Sequence, residues 1–383
     1  MKITKFPKGQ KTKKAGYRWA LMIAAALFLL SGCAAQGAKR VPADRFDYNG
    51  AIAQSTREQM LLNIVRSRYL EVPVFLTVSS VLTQYEYDRS IDLAGIFETG
   101  SGTNDILAGE ANLRFSERPT ITYLPVEGQE FSAQLLSDIP SEIIFAAAQA
   151  GWSVDVFMRI GIQRLGAVEN MSFAEIPASG DSVSKIQVES DLKKLKRFKR
   201  MIDLIFILSD REVIEVQLVE EDGIKERYLV IAEEVAEDLR PLLGELRQLI
   251  GLTNRNRFRI TDRVTNLKDD EISIQTRSVM AMMESMARGV EVPVKHLEDG
   301  WVIDYGLQNG EGEMVKGRFP FRMRSSKKRP ENVFAAVRFR DYWYYVDEAD
   351  ITSKRALGLI IVLFRLQAPA PSGAAPILTL PTG

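Results

Sequence analysis

Cysteine and histidine, the side chains that most often build metal and nucleophile sites, are almost absent from the sequence. Among 383 residues there is one cysteine, Cys33, and one histidine, His296. A lone thiol cannot form an intramolecular disulfide or a thiolate metal site, and a lone imidazole excludes the usual zinc site with several histidines. The chain also lacks the H-E-x-x-H, G-x-S-x-G, phosphate-loop and dinucleotide-binding motifs. We therefore predict no metal and no cofactor.

The amino-terminal region has the composition of a secretory signal. Seven lysines and arginines and no acidic residue occur in the first 18 positions, and the apolar run Trp19–Leu30 follows them. This run is shorter than the about 20 residues that a membrane-spanning helix needs. A basic start, a short apolar segment and small residues at its end predict a signal peptide over residues 1–32 that is removed.

The end of this leader gives the lone cysteine a role. Leu30-Ser31-Gly32-Cys33 resembles the lipobox of bacterial lipoproteins. The resemblance implies cleavage before Cys33, followed by acylation of its thiol and of its new amino group, which holds a protein on a membrane. In such lipoproteins an aspartate after the cysteine usually means retention in the inner membrane. Ala34 at this position therefore implies the outer membrane, with the protein facing the periplasm. The alternative is a cysteine that ends an ordinary signal or lies in a buried apolar segment.

Removal of the leader changes the charge of the protein. The whole chain has 50 basic and 50 acidic residues, and the loss of seven basic residues leaves 43 against 50, a net charge of −7. A field of this sign repels phosphate-rich polymers, so we predict no nucleic-acid partner. With Cys33 acylated, no thiol remains, and the core alone must stabilise the protein in the oxidising envelope.

Residue patterns predict an α+β fold with largely antiparallel β-sheets and flanking helices. Hairpin signals such as Asp222-Gly223 outnumber strand-helix-strand alternations. Residues 174–184 are rich in Pro, Ser, Gly and Asp, which predicts a domain boundary or a long loop. The alternatives are therefore two domains or one large one. The expected order is a lipidated tether over 33–46, one α+β domain over 47–175, a second over 185–367, and a Pro-rich tail over 368–383.

Three local patterns give specific element boundaries. Ser55 and Glu58 have the spacing of a capping box, which predicts that a helix starts at Ser55. Residues 154–162 alternate between apolar and other side chains, which predicts a half-buried strand. A further helix is predicted over 233–250, with Gly251 as its left-handed stop. Other strands, hairpins and helices are predicted over 74–87, 118–125, 140–151, 191–208, 213–231, 257–261, 272–289, 333–347 and 353–366.

Three groups of side chains invite a functional interpretation. The four methionines between residues 280 and 286 resemble a Cu(I) site close to His296, but methionine is also a good filler of cores, and we favour that interpretation. The basic amphipathic helix over 191–208 could lie on anionic lipid, and a solvated helix face is the favoured alternative. The aromatic run Tyr342–Tyr345 could stack on a sugar or a partner, but at most half of it can share one surface. Core packing is its default role.

A second resemblance concerns the mature chain. Several segments together resemble a family of uncharacterised lipoproteins of Gram-negative bacteria, over most of the mature sequence. The resemblance agrees with an envelope location, and it implies no activity and no catalytic residue. The segments that carry it are EQMLLNIVRSRY, VPVFLTVSS, RPTITYLPVEGQEF, QTRSVM and FRDYWYYVDEADITSK.

Two functions from different classes remain after these exclusions. We expect a non-catalytic accessory or scaffold protein, anchored through Cys33, whose partner is another envelope component, most simply a protein. Its oligomeric state does not follow from the sequence. The alternative is a lipid-anchored enzyme acting on envelope polysaccharide or peptidoglycan, because glycoside hydrolysis needs only two carboxyl groups set across a cleft. With 50 acidic residues in the chain, no pair can be selected as catalytic.

Overall fold

Two compact units make up the chain. The computed structural model describes residues 36–94, 108–149, 152, 154–170, 185–221, 223–305, 307–308 and 320–367. Residues up to Ser55 belong to the first unit and residues from Thr56 onward to the second. The described part of the first unit is helical, and most of its side chains after residue 41 are exposed. The predicted signal peptide, Cys33 and the Pro-rich tail lie outside the described residues.

The first described helix, α1, runs Gln36–Arg68 without a break. It includes most of the predicted tether, which is helical from its fourth residue onward. Ser55 lies inside this helix, so the predicted capping box is wrong. A capping side chain is needed only where no preceding turn supplies carbonyl partners, and α1 has such turns before Ser55. The apolar face predicted after it is present, since Leu61 and Val65 are buried.

A long two-stranded hairpin follows α1. Strand β1 (Leu76–Ala94) pairs antiparallel with β2 (Ala108–Pro125), with a register shift between Val78 and Ser80. No other strand in the described part of the chain pairs with this hairpin. The strands predicted in this region from β-branched and aromatic residues are therefore confirmed.

The largest sheet has six strands in the order β4-β3-β8-β7-β6-β5. All its neighbouring pairs are antiparallel except β7 and β8, which are parallel. The predicted hairpin is confirmed by the turn between β5 and β6, where Gly223 has a φ of 78°. The α+β class with largely antiparallel sheets is also confirmed. The strands are β3 (Ile162–Leu165), β4 (Val168–Glu169), β5 (Ile214–Glu221), β6 (Ile224–Ile231), β7 (Arg257–Thr261) and β8 (Glu271–Thr276).

This sheet crosses the position of the predicted domain boundary. β3 and β4 precede residues 174–184, which lie outside the described residues, and β5 to β8 follow them. β3 pairs directly with β8, with Ile162 opposite Thr276. Strands from both predicted domains thus share one hydrogen-bond ladder, and residues from Thr56 onward form one compact unit.

Eight more helices surround the sheets in the described residues. The helices at Val154–Gly161 and Arg240–Ile250 differ from the predictions. The others lie where helices are predicted or in segments without a prediction. The helices are α2 (Gln129–Leu136), α3 (Ser141–Gln149), α4 (Val154–Gly161), α5 (Lys185–Asp210), α6 (Arg240–Ile250), α7 (Val279–Ala287), α8 (Val294–Glu298) and α9 (Ile351–Gln367).

Helix α4 occupies residues for which a half-buried strand is predicted, and that prediction is wrong. Val156, Phe157 and Met158 are all buried, which a strand with one solvated face does not allow, because successive side chains point to opposite sides. The ion pair between Asp155 and Arg159, 2.7 Å apart at positions i and i+4, also supports the helix. The alternation predicts a strand only if Phe157 is counted with the polar residues, whereas its side chain is apolar and buried.

Helix α6 begins seven residues later than predicted, at Arg240. Pro241 explains the start, because proline lacks an N–H and has a fixed φ, which suits the first turn of a helix and no later one. The predicted stop is confirmed. Gly251 has a φ of 78°, and its N–H donates to the carbonyl of Arg247 at 2.9 Å.

A three-stranded sheet precedes the last helix. Its order is β10-β11-β9, with β9 (Arg324–Ser326), β10 (Val333–Phe339) and β11 (Tyr342–Asp347). Asp350 then caps α9, since its carboxylate accepts the backbone N–H of Ser353 at 3.0 Å. The predicted hairpin and capped helix are confirmed.

A buried polar network connects Tyr69, the residue after α1, with α8 and β11. The hydroxyl of Tyr69 lies 2.5 Å from Nδ1 of His296 and 2.6 Å from the hydroxyl of Tyr344. His296 is 4% exposed and stacks on Trp301 with ring centroids 4.5 Å apart. Burial, and secondarily the nearby guanidinium of Arg340, lowers the pKa of His296. The imidazole is therefore neutral, and its Nδ1 can accept the Tyr69 proton.

We expect acid to destabilise the protein through this histidine. In the unfolded chain the imidazole has a pKa of about 6.5. Because the pKa of His296 is lower in the folded protein, the unfolded chain binds more protons, and the free energy of unfolding falls as the pH drops below about 6.5. Urea unfolding between pH 8 and pH 5.5 measures this slope. His296→Gln should flatten it, and an equal slope in the variant would contradict the assignment.

Candidate functional site

One face of the six-stranded sheet carries branched apolar side chains. Alternate residues of a strand point to the same face, so inward positions recur every second residue along β5, β6, β7 and β8. A cavity lies against this face. The strand residues of these four elements that line it with apolar side chains are Ile214, Val216, Leu218, Leu229, Ile260, Ile272 and Ile274.

Four helices cover the same face. α3 and α4 come from before the strands β5 to β8 in the chain, α5 leads into β5, and α6 lies between β6 and β7. The cover leaves a space between helices and strands. The helix residues that line it with apolar side chains are Ile144, Phe145, Ala146, Val154, Met158, Ile205, Leu246 and Ile250.

The cavity is apolar and has a volume of about 300 Å³. Ligand pockets have volumes of about 300–1,000 Å³, so this cavity is at the small end of that range. Among the described residues that line it, the polar ones are Glu142, Ser209, Glu215 and Arg227. Such a lining favours a hydrocarbon chain, because burying apolar surface contributes roughly 25 cal/mol per Å², whereas burying an unpaired polar group is costly.

The apolar cavity reaches solvent along β5, one of the two edge strands of the sheet. Val216 and Leu218 line the cavity, and yet they are 40% and 53% exposed. Val154 of α4, which also lines it, is 36% exposed. These exposed lining residues identify the rim through which a molecule can enter.

A second cavity, of about 510 Å³, adjoins the apolar one. Glu142, Arg227, Ile260 and Ile274 line both cavities, so these four residues border both spaces. The second cavity differs in its charge, because acidic and basic side chains make up much of its wall. Its charged lining residues are Asp138, Glu142, Lys225, Glu226, Arg227, Arg259 and Asp262.

Arg227 lies at the junction of the two cavities. Its Nη1 donates to Oε1 of Glu142 at 3.0 Å, and its guanidinium lies over the ring of Phe145, 5.5 Å from the centroid. The side chain of Arg227 is 17% exposed, whereas that of Glu142 is 59% exposed. The cation is thus held in the wall, and its carboxylate partner faces solvent.

Two carboxyl groups of the polar cavity have pKa values shifted in opposite directions. Glu226 accepts from the hydroxyl of Tyr228 at 2.6 Å and from Arg259 at 2.7 Å, and these hydrogen bonds lower its pKa. Burial raises the pKa of Asp138. Arg259 also donates to Glu271, so its charge is shared between two carboxylates.

The side chains singled out from the sequence lie elsewhere. Met282, Met283 and Met286 are buried in the hydrophobic core, where they fill space. No cluster of three or more His, Cys, Asp or Glu side chains suited to a metal ion occurs in the described part of the chain. His296 belongs to the network with Tyr69, outside both cavities. Tyr344 of the aromatic run is fully buried in that network.

The basic helix predicted over 191–208 is part of α5, and most of its cations are paired. These ion pairs neutralise much of the charge that an anionic membrane surface would attract, which agrees with a solvated helix face. The pairs are Lys193 with Glu189, Lys194 with Glu169, Lys199 with Asp203 and Arg200 with Glu245.

Arg227 is not among the residues singled out from the sequence, although it interrupts the apolar pattern of its strand. Residues 227, 229 and 231 occupy alternate positions of β6, and the latter two are Leu and Ile. Arg227 is thus a charged residue at an inward position of an amphipathic strand, opposite Leu218 of β5. Such an exception to the pattern indicates either a surface edge or a site.

No protein-family model, no curated protein and no solved structure matches the chain. Among the described residues, no helix is both long enough and apolar enough to cross a membrane. The two cavities and the sequence of the leader are therefore the features of this chain that indicate a function.

Proposed function

We propose that the protein is a non-catalytic lipoprotein of the bacterial cell envelope that binds an apolar envelope component in the cavity between its six-stranded sheet and helices. The observation that carries this proposal is the apolar lining of that cavity together with its exposed rim at Val216 and Leu218. A rigid sheet on one side and four helices on the other provide a preformed space, which lowers the entropic cost of binding.

The leader and Cys33 support an envelope location for this binding activity. In the proposal, acylated Cys33 anchors the protein to the outer membrane, where it faces the periplasm. Apolar molecules in that compartment are poorly soluble in water, so a protein that shields them has a clear use. Two or more acyl chains would hold the anchor firmly, because each buried methylene contributes roughly 0.8 kcal/mol.

The composition of the cavity favours binding over catalysis. Its polar lining residues are two carboxylates, one serine and one arginine. Ser209 has no histidine beside it in this cavity, because His296 belongs to the separate network with Tyr69 and Tyr344. A serine without a base is a weak nucleophile.

The alternative is a lipid-anchored enzyme that acts on envelope polysaccharide or peptidoglycan. The opposite pKa shifts of Asp138 and Glu226 at the polar cavity favour it, because such pairs supply an acid and a base. Against it, both oxygens of Glu226 already accept hydrogen bonds, from Tyr228 and Arg259. A carboxylate engaged in this way is less available to attack a sugar or to activate water.

The anchor is tested by Cys33→Ser. Serine has no thiol for the thioether linkage, so the variant should leave the membrane fraction, while the unchanged protein stays in it. Mass spectrometry of the amino-terminal peptide should find a cleaved chain that begins with acylated Cys33. An unmodified cysteine, or a leader still joined to it, would contradict the proposed location.

Binding is tested with N-phenyl-1-naphthylamine, an uncharged apolar probe whose fluorescence increases in apolar surroundings. The mature protein should bind it at one site. Ile272→Phe places a ring in the cavity and should weaken probe binding about tenfold, which corresponds to about 1.4 kcal/mol. Because the cavity has room for the ring, the variant should remain folded in thermal unfolding.

The matched control is Ile351→Phe, the same replacement at an exposed position at the start of α9. It should bind the probe as the unchanged protein does. Equal binding by Ile272→Phe and the unchanged protein would exclude the sheet-helix cavity as the binding site, and so would the absence of any saturable probe binding.

A further inference from the structure

The junction between the two cavities has a polarity that a purely apolar ligand does not need. Arg227 lines both cavities, and its guanidinium is attached to the wall by its contact with the ring of Phe145. On one side of this cation the lining is aliphatic, and on the other side it is charged. A ligand that extends across the junction therefore meets hydrocarbon first and then a cation.

The present partner of Arg227 is replaceable. Glu142 contacts it through one hydrogen bond of 3.0 Å, and its side chain is far more exposed than that of Arg227. An exposed carboxylate loses little when it returns to water, because water replaces the hydrogen bonds that the arginine supplied. The guanidinium has five N–H donors, so an incoming anion can accept from it in a bidentate geometry.

The other cations that line the polar cavity are less suited to receive an anion. Arg259 already donates to Glu226 and Glu271. Lys225 is 61% exposed, lies 3.8 Å from Glu220 and does not line the apolar cavity. Among the described lining residues, Arg227 is thus the cation that contacts both spaces.

We propose that the cavity takes a single-chain amphiphile with an anionic head group, carboxylate or phosphate. The hydrocarbon chain lies against Ile272 and Ile274, and the head group accepts hydrogen bonds from Arg227 in place of Glu142. This inference rests on the proposed binding function and adds to it the class of ligand.

Four dodecyl compounds test the role of the head group by displacement of N-phenyl-1-naphthylamine from the mature protein. They are dodecanoate, dodecyl phosphate, 1-dodecanol and dodecyltrimethylammonium, each used below its micellar concentration. The chain is constant, so differences report the head group. At least one of the two anions should displace the probe at about tenfold lower concentration than the alcohol, since a hydrogen bond to a charged group is stronger than one between neutral groups. The cation should bind more weakly than the alcohol.

Two variants test the role of Arg227. Arg227→Gln should remove the preference for anions, so that the preferred anion and 1-dodecanol displace the probe from this variant at concentrations within about twofold of each other. Glu142→Gln removes the competing carboxylate and should strengthen binding of the preferred anion several-fold. This second variant keeps the test decisive if Arg227→Gln fails to fold. Arg211→Gln, an exposed arginine outside both cavities, is the matched control and should change neither preference.

The outcomes separate this inference from the function on which it rests. A stronger response to dodecanoate identifies a fatty-acid ligand, a stronger response to dodecyl phosphate identifies a lysophospholipid-like ligand, and either supports the inference. Equal displacement by all four compounds, or an anion preference that survives Arg227→Gln, would overturn the head-group assignment and leave the proposed function standing. If Ile272→Phe weakens probe binding as expected but none of the four compounds displaces the probe from the unchanged protein, the inference is overturned. If the probe does not bind at all, the proposed function fails with it.

Discussion

The six-stranded sheet has one face of branched aliphatic side chains, and this face is stable in water only where other elements cover it. Its cover comes from α3, α4, α5 and α6, which are dispersed along the chain. Because β3 also pairs with β8, residues from both sides of segment 171–184 contribute to one core. The organisation from Thr56 onward follows from this requirement. The cavity of about 300 Å³ lies where the cover is incomplete, so the same face that stabilises the fold also provides the binding surface.

Charged groups of the sheet have two distinct arrangements, on opposite faces of its strands. Arg259 is held between Glu226 and Glu271, and such a shared cation fixes the positions of β6, β7 and the start of β8. Arg227 is different, because its one carboxylate partner, Glu142, faces solvent. The first arrangement is structural, since Arg263 also pairs with Glu271 and each charge is therefore compensated within the protein. The second leaves a cation whose partner can be exchanged at the edge of an apolar space, and this asymmetry is the basis of the proposed ligand chemistry.

The sequence predicted local structure well and the site poorly, for different physical reasons. The glycine turn at Gly223 and the helix stop at Gly251 depend on a few neighbouring residues, so their chemistry can be read along the chain. The capping box at Ser55 could not be read in this way, because the residues before it are also helical. Helix α4 has the alternation of a strand because Val156 and Ile160 satisfy both period two and the i, i+4 spacing of a helix, and tertiary packing decides between them. The cavity depends on how distant elements meet. The inward position of Arg227 became informative only once the strand order was known, because an edge strand with polar residues has the same pattern.

The central claim is that a hydrocarbon chain lies between the sheet and its helices. The most direct measurement is methyl NMR of the mature protein, labelled at isoleucine methyl groups, with a spin-labelled fatty acid as ligand. A chain bound in the cavity should selectively broaden the methyl signals of Ile260, Ile272 and Ile274, whose side chains line it. The methyl signals of exposed Ile121 and Ile351 should keep their line widths. Broadening confined to exposed isoleucines, with the three cavity signals unchanged, would contradict the claim.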